Sequence, residues 1–514
     1  MEARLKPIYV KVCRRVISFV SEYPKEVVEE LSSYSVPGAF WMPAYHRFHK
    51  VRKLVNGEYR EVAERVWDGK KHLLNQTNDT LPAGLFKALV VPELKKLGYK
   101  ILYEKKSLPV PVSQEVLTRT RKTLTDAFPE TRPFQVDAVL AMLKSLHQGG
   151  LVTAATGSGK TYVAGMFFFS LGANIKCLFV VDELTLLHQA QKELEKVAGE
   201  PVGIVGEGLF QPERITVATI QTLWKSQSTK KFKDWFESIR IVVIDEIHVQ
   251  MNRRNFGIVT KVNAQAVYGL TATLQLKKKD VRVRAHALTG PVLYEYGLAQ
   301  GVAEKFLTQP IVVMVEYQGL KDKPGERFQF AYQRQITHCT SRNQLLEDIA
   351  RSCLDNQRRV IVLVSYVRHL KFMFRRLKNK APQLVYGGKK SVERILIQKD
   401  FEKGLVKLII TNVVFEKGIN IKVADTGING AAESSRNKSQ QKIGRLVRLS
   451  EGKEYALYVD IYDKGNRYQK NAEQRIRAYK ELKIPILVVD EESIGPDWFK
   501  TIDQKIRKVL KIKS

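Results

Sequence analysis

The chain has 514 residues, 44% of them hydrophobic, with 85 Lys and Arg against 53 Asp and Glu, a formal charge of +32. That length fits about three domains, each able to bury a core, and the charge attracts polyanions, nucleic acid first among them. No run of about 18 apolar residues occurs, which excludes a spanning helix. An anionic membrane surface is the competing polyanion, but no long basic amphipathic helix supports it. The N-terminus leads into alternating residues rather than an apolar signal core. Cys13, Cys177, Cys339 and Cys353 are scattered and lack zinc spacing, so they read as reduced, structural residues of a cytoplasmic protein.

Residues 1–112 differ in character from the rest. Tyr9 to Val16 alternates like a strand, and Ser21 to Ser33 reads as a short helix. An aromatic, basic stretch follows from Pro37 to Lys50. Trp67-Asp-Gly-Lys70 is turn chemistry between two strand-like runs. Leu81 opens a helix toward Leu97, and Tyr99 to Glu104 closes as a strand. This predicts a small α+β domain. Trp67 and Tyr45 offer rings for stacking on bases, and basic residues such as Lys70 offer charge to phosphates. The other reading of each, a small aromatic core beneath a solvated charged face, stays open.

Pro109-Val-Pro-Val-Ser113 reads as an extended linker, and the next domain is expected over 113–300. Arg132-Pro-Phe-Gln135 precedes a Gly-rich turn by some twenty residues. There Gln135 can read an adenine edge, with Phe134 or Arg132 near the base. Leu151 to Tyr162 runs strand, Gly-rich turn, helix. Gly157 and Gly159 allow turns that a Cβ hinders, so backbone N–H groups of Ala155, Thr156, Gly157, Ser158 and Gly159 can converge on phosphates. The helix N-terminus adds partial positive charge. Lys160 is placed for the β/γ-phosphates of ATP, and Thr161 for Mg²⁺. A parallel-sheet rhythm follows. The run Ile239–Ile244 ends in Asp245-Glu-Ile-His248. Paired carboxylates at the C-terminal end of a buried strand are costly without a partner. A metal with a nucleotide supplies one, at the edge where α/β sheets bind ligands. Asp245 then holds Mg²⁺, Glu246 orients and deprotonates the attacking water, and His248 couples the site to its neighbours. Ala266 to Thr273 is a strand ending in Thr271-Ala-Thr273, hydroxyls able to link nucleotide state to movement. The basic run around Lys277, Arg282 and Arg284 reads as a solvated face.

A third domain is expected over 301–514, with αβ rhythm, no second phosphate loop and a basic tail. Val360–Val364 and Leu408–Thr411 are buried-strand runs. Gln441, Gly444, Arg445 and Arg448 are spaced to share one helix face. Two arginines there can stabilise charge on a transferred γ-phosphate.

In order, Arg-Pro-Phe-Gln, Ala-Thr-Gly-Ser-Gly-Lys-Thr, Asp-Glu-Ile-His, Thr-Ala-Thr, Glu-Lys-Gly-Ile-Asn and Gln-Lys-Ile-Gly-Arg-Leu-Val-Arg resemble the motifs of superfamily 2 helicases over residues 128–460. The resemblance implies two tandem RecA-like parallel-sheet domains after the small α+β domain, with ATP and Mg²⁺ in a cleft between them. It implies that Thr219, Gln221 and Thr411 contact nucleic acid and that Gly418 serves the nucleotide. Ala154 stands where Gly opens the usual phosphate loop, and Asn420 where Asp is common. Trp67-Asp-Gly-Lys, Leu81-Pro-Ala-Gly-Leu and Leu97-Gly-Tyr are similar to the front domain of UvsW-like phage helicases. That implies a DNA enzyme of the host-cell cytoplasm acting on branched or forked DNA and RNA–DNA hybrids, with no membrane partner and a monomer compatible with the motifs. An RNA helicase, or the motor subunit of a larger DNA-processing complex, is the alternative.

Overall fold

The computed structural model describes residues 6–13, 15–36, 42, 44, 48–55, 58–65, 67–104, 112–182, 184–272, 279–389, 391–412 and 422–512. The chain divides into two compact units. One comprises residues 1–154 and 159–295, the other 296–514 together with 155–158.

The first unit is built on an eight-stranded sheet. Its strand order is Leu209–Gln211, Val202–Gly206, Ile215–Thr219, Cys177–Val181, Ile241–Ile244, Ala266–Thr271, Gly149–Ala154 and Val292–Tyr296. From Val202–Gly206 to Gly149–Ala154 all pairings are parallel. These strands are unbroken apolar, β-branched runs because both of their faces are buried. Successive residues feed opposite cores: Phe179, Val217 and Val243 pack on one side, Leu178, Val180 and Val242 on the other.

The N-terminal region adds a four-stranded sheet in the order Thr80–Pro82, Val16–Phe19, Lys6–Cys13, Tyr99–Tyr103. The helix expected from Leu81 to Leu97 is interrupted: Phe86–Val90 is π-helical between Ala83–Leu85 and Val91–Lys96. Pro92 explains the break, since its ring crowds the carbonyl one turn back and it donates no N–H. Ile8, Val10, Ile17, Phe86, Val90 and Leu94 share one core with Val283 and Ala287 of the helix Lys279–Leu288. The N-terminal sheet therefore folds onto the first unit. That packing overturns the solvated-face expectation for Arg284, which is only 3% exposed. Its guanidinium bonds Met251 O at 2.8 Å and Asp280 at 2.6 Å and lies 4.8 Å from the Tyr34 ring centre. A carboxylate, a carbonyl and a π face together replace its water. Arg282 remains exposed.

The second unit is a seven-stranded sheet in the order Gln383–Val385, Leu408–Thr411, Val360–Leu363, Thr426–Asn429, Tyr455–Lys464, Gln309–Gln318, Ile486–Asp490. Every pairing in it is parallel. Alternate strand residues again divide between two cores, Val313, Val362 and Ile410 against Val312, Ile361 and Ile409. No described helix is long and apolar enough to cross a membrane.

Candidate active site

The strand Gly149–Ala154 delivers the chain into the turn at 155–159, and the helix Lys160–Phe169 leaves it. Gly157 and Gly159 take φ of +88° and +87°, a region that L side chains avoid. At Gly159 space is as tight as conformation, since a Cβ would stand 2.6 Å from Gln135 Nε2. Gln135 is buried at the start of the helix Pro133–Lys144, and its Oε1 accepts from Arg132 N at 3.0 Å and from the Thr131 hydroxyl at 3.2 Å. Gln135 thus reaches the turn from the side. Phe134 is 3% exposed and packs inward, which leaves little of its ring for a base. The reason is its place beside Gln135 on a helix start whose apolar residues are turned into the unit.

Lys160 is anchored. Its Nζ lies 3.2 Å from Glu246 Oε1 and 3.5 Å from Ala154 O. Asp245 and Glu246 follow the strand Ile241–Ile244, and Glu246 adopts φ +44° before the short helix Ile247–Gln250. Burial, then the Glu246 charge, push the Asp245 carboxyl up to about 7, against the pull of Lys160. His248 Nδ1 sits 2.8 Å from the Thr271 hydroxyl and 3.3 Å from Glu246 Oε2. Burial holds that imidazole below its ordinary pKa, so it stays neutral near pH 7. Lys160, Asp245, Glu246, His248 and Thr271 therefore form one connected group.

The pattern missed Gln250. It is buried, and its amide donates to Asp245 O and to Val180 O (3.3 Å), so it pins the acidic turn to the neighbouring strand. No local pattern marked it, since the carbonyls it meets belong to a turn and a neighbouring strand brought together by folding. Thr219 and Thr411 are buried at strand ends. The Thr219 hydroxyl accepts from Thr222 N, which caps the helix Ile220–Ser226, and lies 2.9 Å from the Thr222 hydroxyl. Gln221 is exposed and donates to Asp182 O at 2.6 Å. Trp67 is half-buried, its indole N–H donating to Lys70 O at 2.6 Å, while the Lys70 side chain is exposed. Thr273, Gly418, Tyr45 and most of the linker lie outside the described residues.

In the second unit, Gln441, Gly444 and Arg445 lie on the helix Arg436–Leu446, but Arg448 is beyond its end. The expected single face is thus shorter by one arginine. Two lysines that the pattern did not single out hold this helix. Buried Lys442 bonds Glu433 and Asn429. Lys453 donates to Leu446 O and Arg448 O at the helix C-terminus, where positive charge is favoured, and to Ala424 O ahead of the strand Thr426–Asn429. Burial lowers its pKa to about 8.

Residues 128–276 match the family described as Type III restriction enzyme, res subunit, and residues 341–450 match the helicase conserved C-terminal domain. The chain is 23% identical over 377 residues to the DNA 3'-5' translocase XPB2 of Sulfurisphaera tokodaii, covering 65% of this chain and 82% of that protein. It is 23% identical over 337 residues to the probable helicase D10 of Escherichia phage T5, covering 64% and 71%. In fold it is similar to the solved structure of S. cerevisiae Dbp5 bound to RNA and ADP BeF3, with a TM-score of 0.54, 14% identity and coverage of 77% and 97%. Two matched domains, one bearing the Lys160–Glu246 pair and the other the Arg445 helix, make the chain an ATP-dependent enzyme, and it belongs to the superfamily 2 helicases.

Proposed function

We propose that this helicase is a DNA translocase that remodels branched DNA, migrating junctions and unwinding forks. The carrying observation is the Trp67–Lys70 turn, which presents an exposed lysine at the start of a two-stranded ribbon, Ser33–Ser35 with Lys70–His72, whose Tyr34 joins the core shared with the helix Lys279–Leu288. DNA held at that turn would bear on the same compact unit that carries Lys160 and Glu246. The resemblance of this region to UvsW-like front domains and the name of the S. tokodaii relative support DNA over RNA.

The residues present fit a divalent cation. Asp245 and Glu246 are adjacent carboxylates at the end of a buried strand, Lys160 pairs with Glu246, and burial followed by the Glu246 charge disfavours ionised Asp245. Mg²⁺ held by Asp245 and Thr161 would neutralise charge on the ATP phosphates. Lys160 exchanges its contact with Glu246 for phosphate oxygens. Glu246, released from Lys160, accepts a proton from the attacking water. His248 keeps Glu246 oriented and links it to Thr271. Arg445 and Arg448 supply positive charge to the transferred group, and Gln441 positions the water or phosphate beside them.

ATP hydrolysis is measured for wild type and Glu246→Gln with linear duplex, single strand, four-way junction and RNA hairpin. The expected result is strongest stimulation by the junction and a loss of about 10²–10⁴-fold in the variant. Stimulation mainly by RNA would overturn the DNA assignment. The match of residues 128–276 to a restriction-enzyme subunit family favours a second reading, the motor of a larger complex. The mass of the native particle in its source extract separates the two.

A further inference from the structure

The second unit carries an aromatic cluster that nothing above uses. The Tyr332 ring centre lies 5.0 Å from that of Tyr366, 5.7 Å from Tyr468 and 6.1 Å from Phe328, and Phe328 also meets Tyr468 at 6.1 Å. Tyr332 and Tyr468 are buried, and the Tyr332 hydroxyl donates to Ala431 O at 2.6 Å. Phe328 and Tyr366 rest on this fixed base yet are 56% and 47% exposed. Large rings held rigidly in water are a costly surface without a ligand.

Their origin places them. Phe328 and Tyr332 follow the strand Gln309–Gln318, Tyr366 follows Val360–Leu363, and Tyr468 follows Tyr455–Lys464. These strands are parallel members of one sheet. All four rings therefore gather at its C-terminal edge, where α/β sheets bind ligands. Thr411 and Asn412 leave the same edge, because Leu408–Thr411 runs parallel to Val360–Leu363. The nearby carboxylates Glu326 and Asp322 are paired with Arg334 and Arg467, and further cations stand exposed around the rings. Tyr366 is the N-cap of the helix Val367–Arg376, which holds no acidic residue and exposes Arg368, Lys371 and Arg375. These lie three and four residues apart, on one side of the helix. Arg327, next to Phe328, is exposed as well.

We propose that Phe328 and Tyr366 form a stacking platform for unpaired bases of single-stranded nucleic acid, with Arg327, Arg368 and Lys371 taking the phosphates. An aromatic face accepts any base, so such a platform grips a strand without reading its sequence, as a translocating motor requires. An apolar protein partner would use the rings but not the exposed cations beside them. The inference rests on the nucleic-acid motor reading and adds a binding site to it.

The test uses the full chain with labelled 15-nucleotide strands of dT, of abasic deoxyribose and of rU, followed by fluorescence anisotropy. Stacking contributes about 1–3 kcal/mol per base, a factor of about 5–150. Wild type is expected to prefer dT to the abasic strand by at least about tenfold. Phe328→Ala/Tyr366→Ala should erase that preference by weakening dT while leaving abasic binding unchanged, and Tyr366→Phe should retain it. Loss with either dT or rU supports the platform, and the larger loss identifies the sugar. A double variant that binds dT as wild type does overturns the proposal. So does a parallel fall for dT and abasic strands, which would report lost charge or lost fold. If wild type binds none of the three strands, the motor reading itself fails, a result distinct from both.

Discussion

His369 is a fully buried histidine whose surroundings leave a second proton no place. The Asn343 amide donates to the carbonyls of Ile336, Thr337 and Cys339, which turns its oxygen toward His369 Nε2 at 2.7 Å. Burial, with Arg342 and His338 adding like charge, drops the imidazole pKa to about 3. An unfolded histidine titrates near 6.5. Between those values the unfolded chain binds the proton and the folded one does not, so this stability is intact above about pH 6.5 and is lost as pH falls. The second unit should lose about 2 kcal/mol between pH 6.5 and 5 from this residue. His369→Gln keeps an N–H for Asn343 but does not titrate, so urea unfolding at the two pH values should show a flatter dependence. Equal slopes for both proteins would remove His369 as the cause. Nothing in the sequence marks this residue, because its partner is 26 positions away. Lys160, Asp245 and Glu246 were legible because a phosphate loop and an acidic strand end are local patterns. Gln250 and Lys453 were not, since their roles depend on carbonyls brought near only by folding.

At the level of elements, unbroken apolar runs were the reliable signal: Ile241–Ile244, Val360–Leu363 and Leu408–Thr411 are buried strands as their composition implies. The segment from Leu81 to Leu97 was legible as helical, but the π turn was not, because the consequence of Pro92 depends on backbone register. The packing between Ala83–Leu85 and the end of Lys279–Leu288 was also hidden, and Gly84 is what permits it. A Cβ on Gly84 would stand 2.5 Å from His286 O and 2.8 Å from Gly290 N. Both are backbone atoms, so no rotamer change relieves the clash. Gly84→Ala should destabilise the first unit by about 1–3 kcal/mol, read as a lower urea midpoint with an unchanged slope. Gly257→Ala is the control, with nothing within 4 Å of its Cβ. If the two variants unfold alike, the close approach at Gly84 is not what seats the N-terminal sheet.

Across the whole molecule, 85 cationic side chains face 53 anionic ones, and because every ion pair takes one charge of each sign, internal pairing leaves the net surplus of +32 unchanged. Arg342–Asp463 and Arg475–Asp460 are internal pairs that hold the second unit together. Arg368, Lys371 and Arg375 are exposed. A surplus kept in water raises self-repulsion, and a polyanion that releases its counterions on binding turns that cost into affinity. Neutralising about six phosphates gives a log–log salt slope near −5 on duplex DNA and a weakening of about a thousandfold between 50 and 200 mM salt. The slope should be the same for Glu246→Gln, because the role proposed for that carboxylate is at the nucleotide and an acidic group adds no cation for a DNA phosphate. It should be shallower for a single strand, whose counterions are less condensed. A duplex slope near −1 would mean that only one or two phosphates are neutralised. The charge would then serve some polyanion other than DNA, and the translocase reading would lose its electrostatic basis.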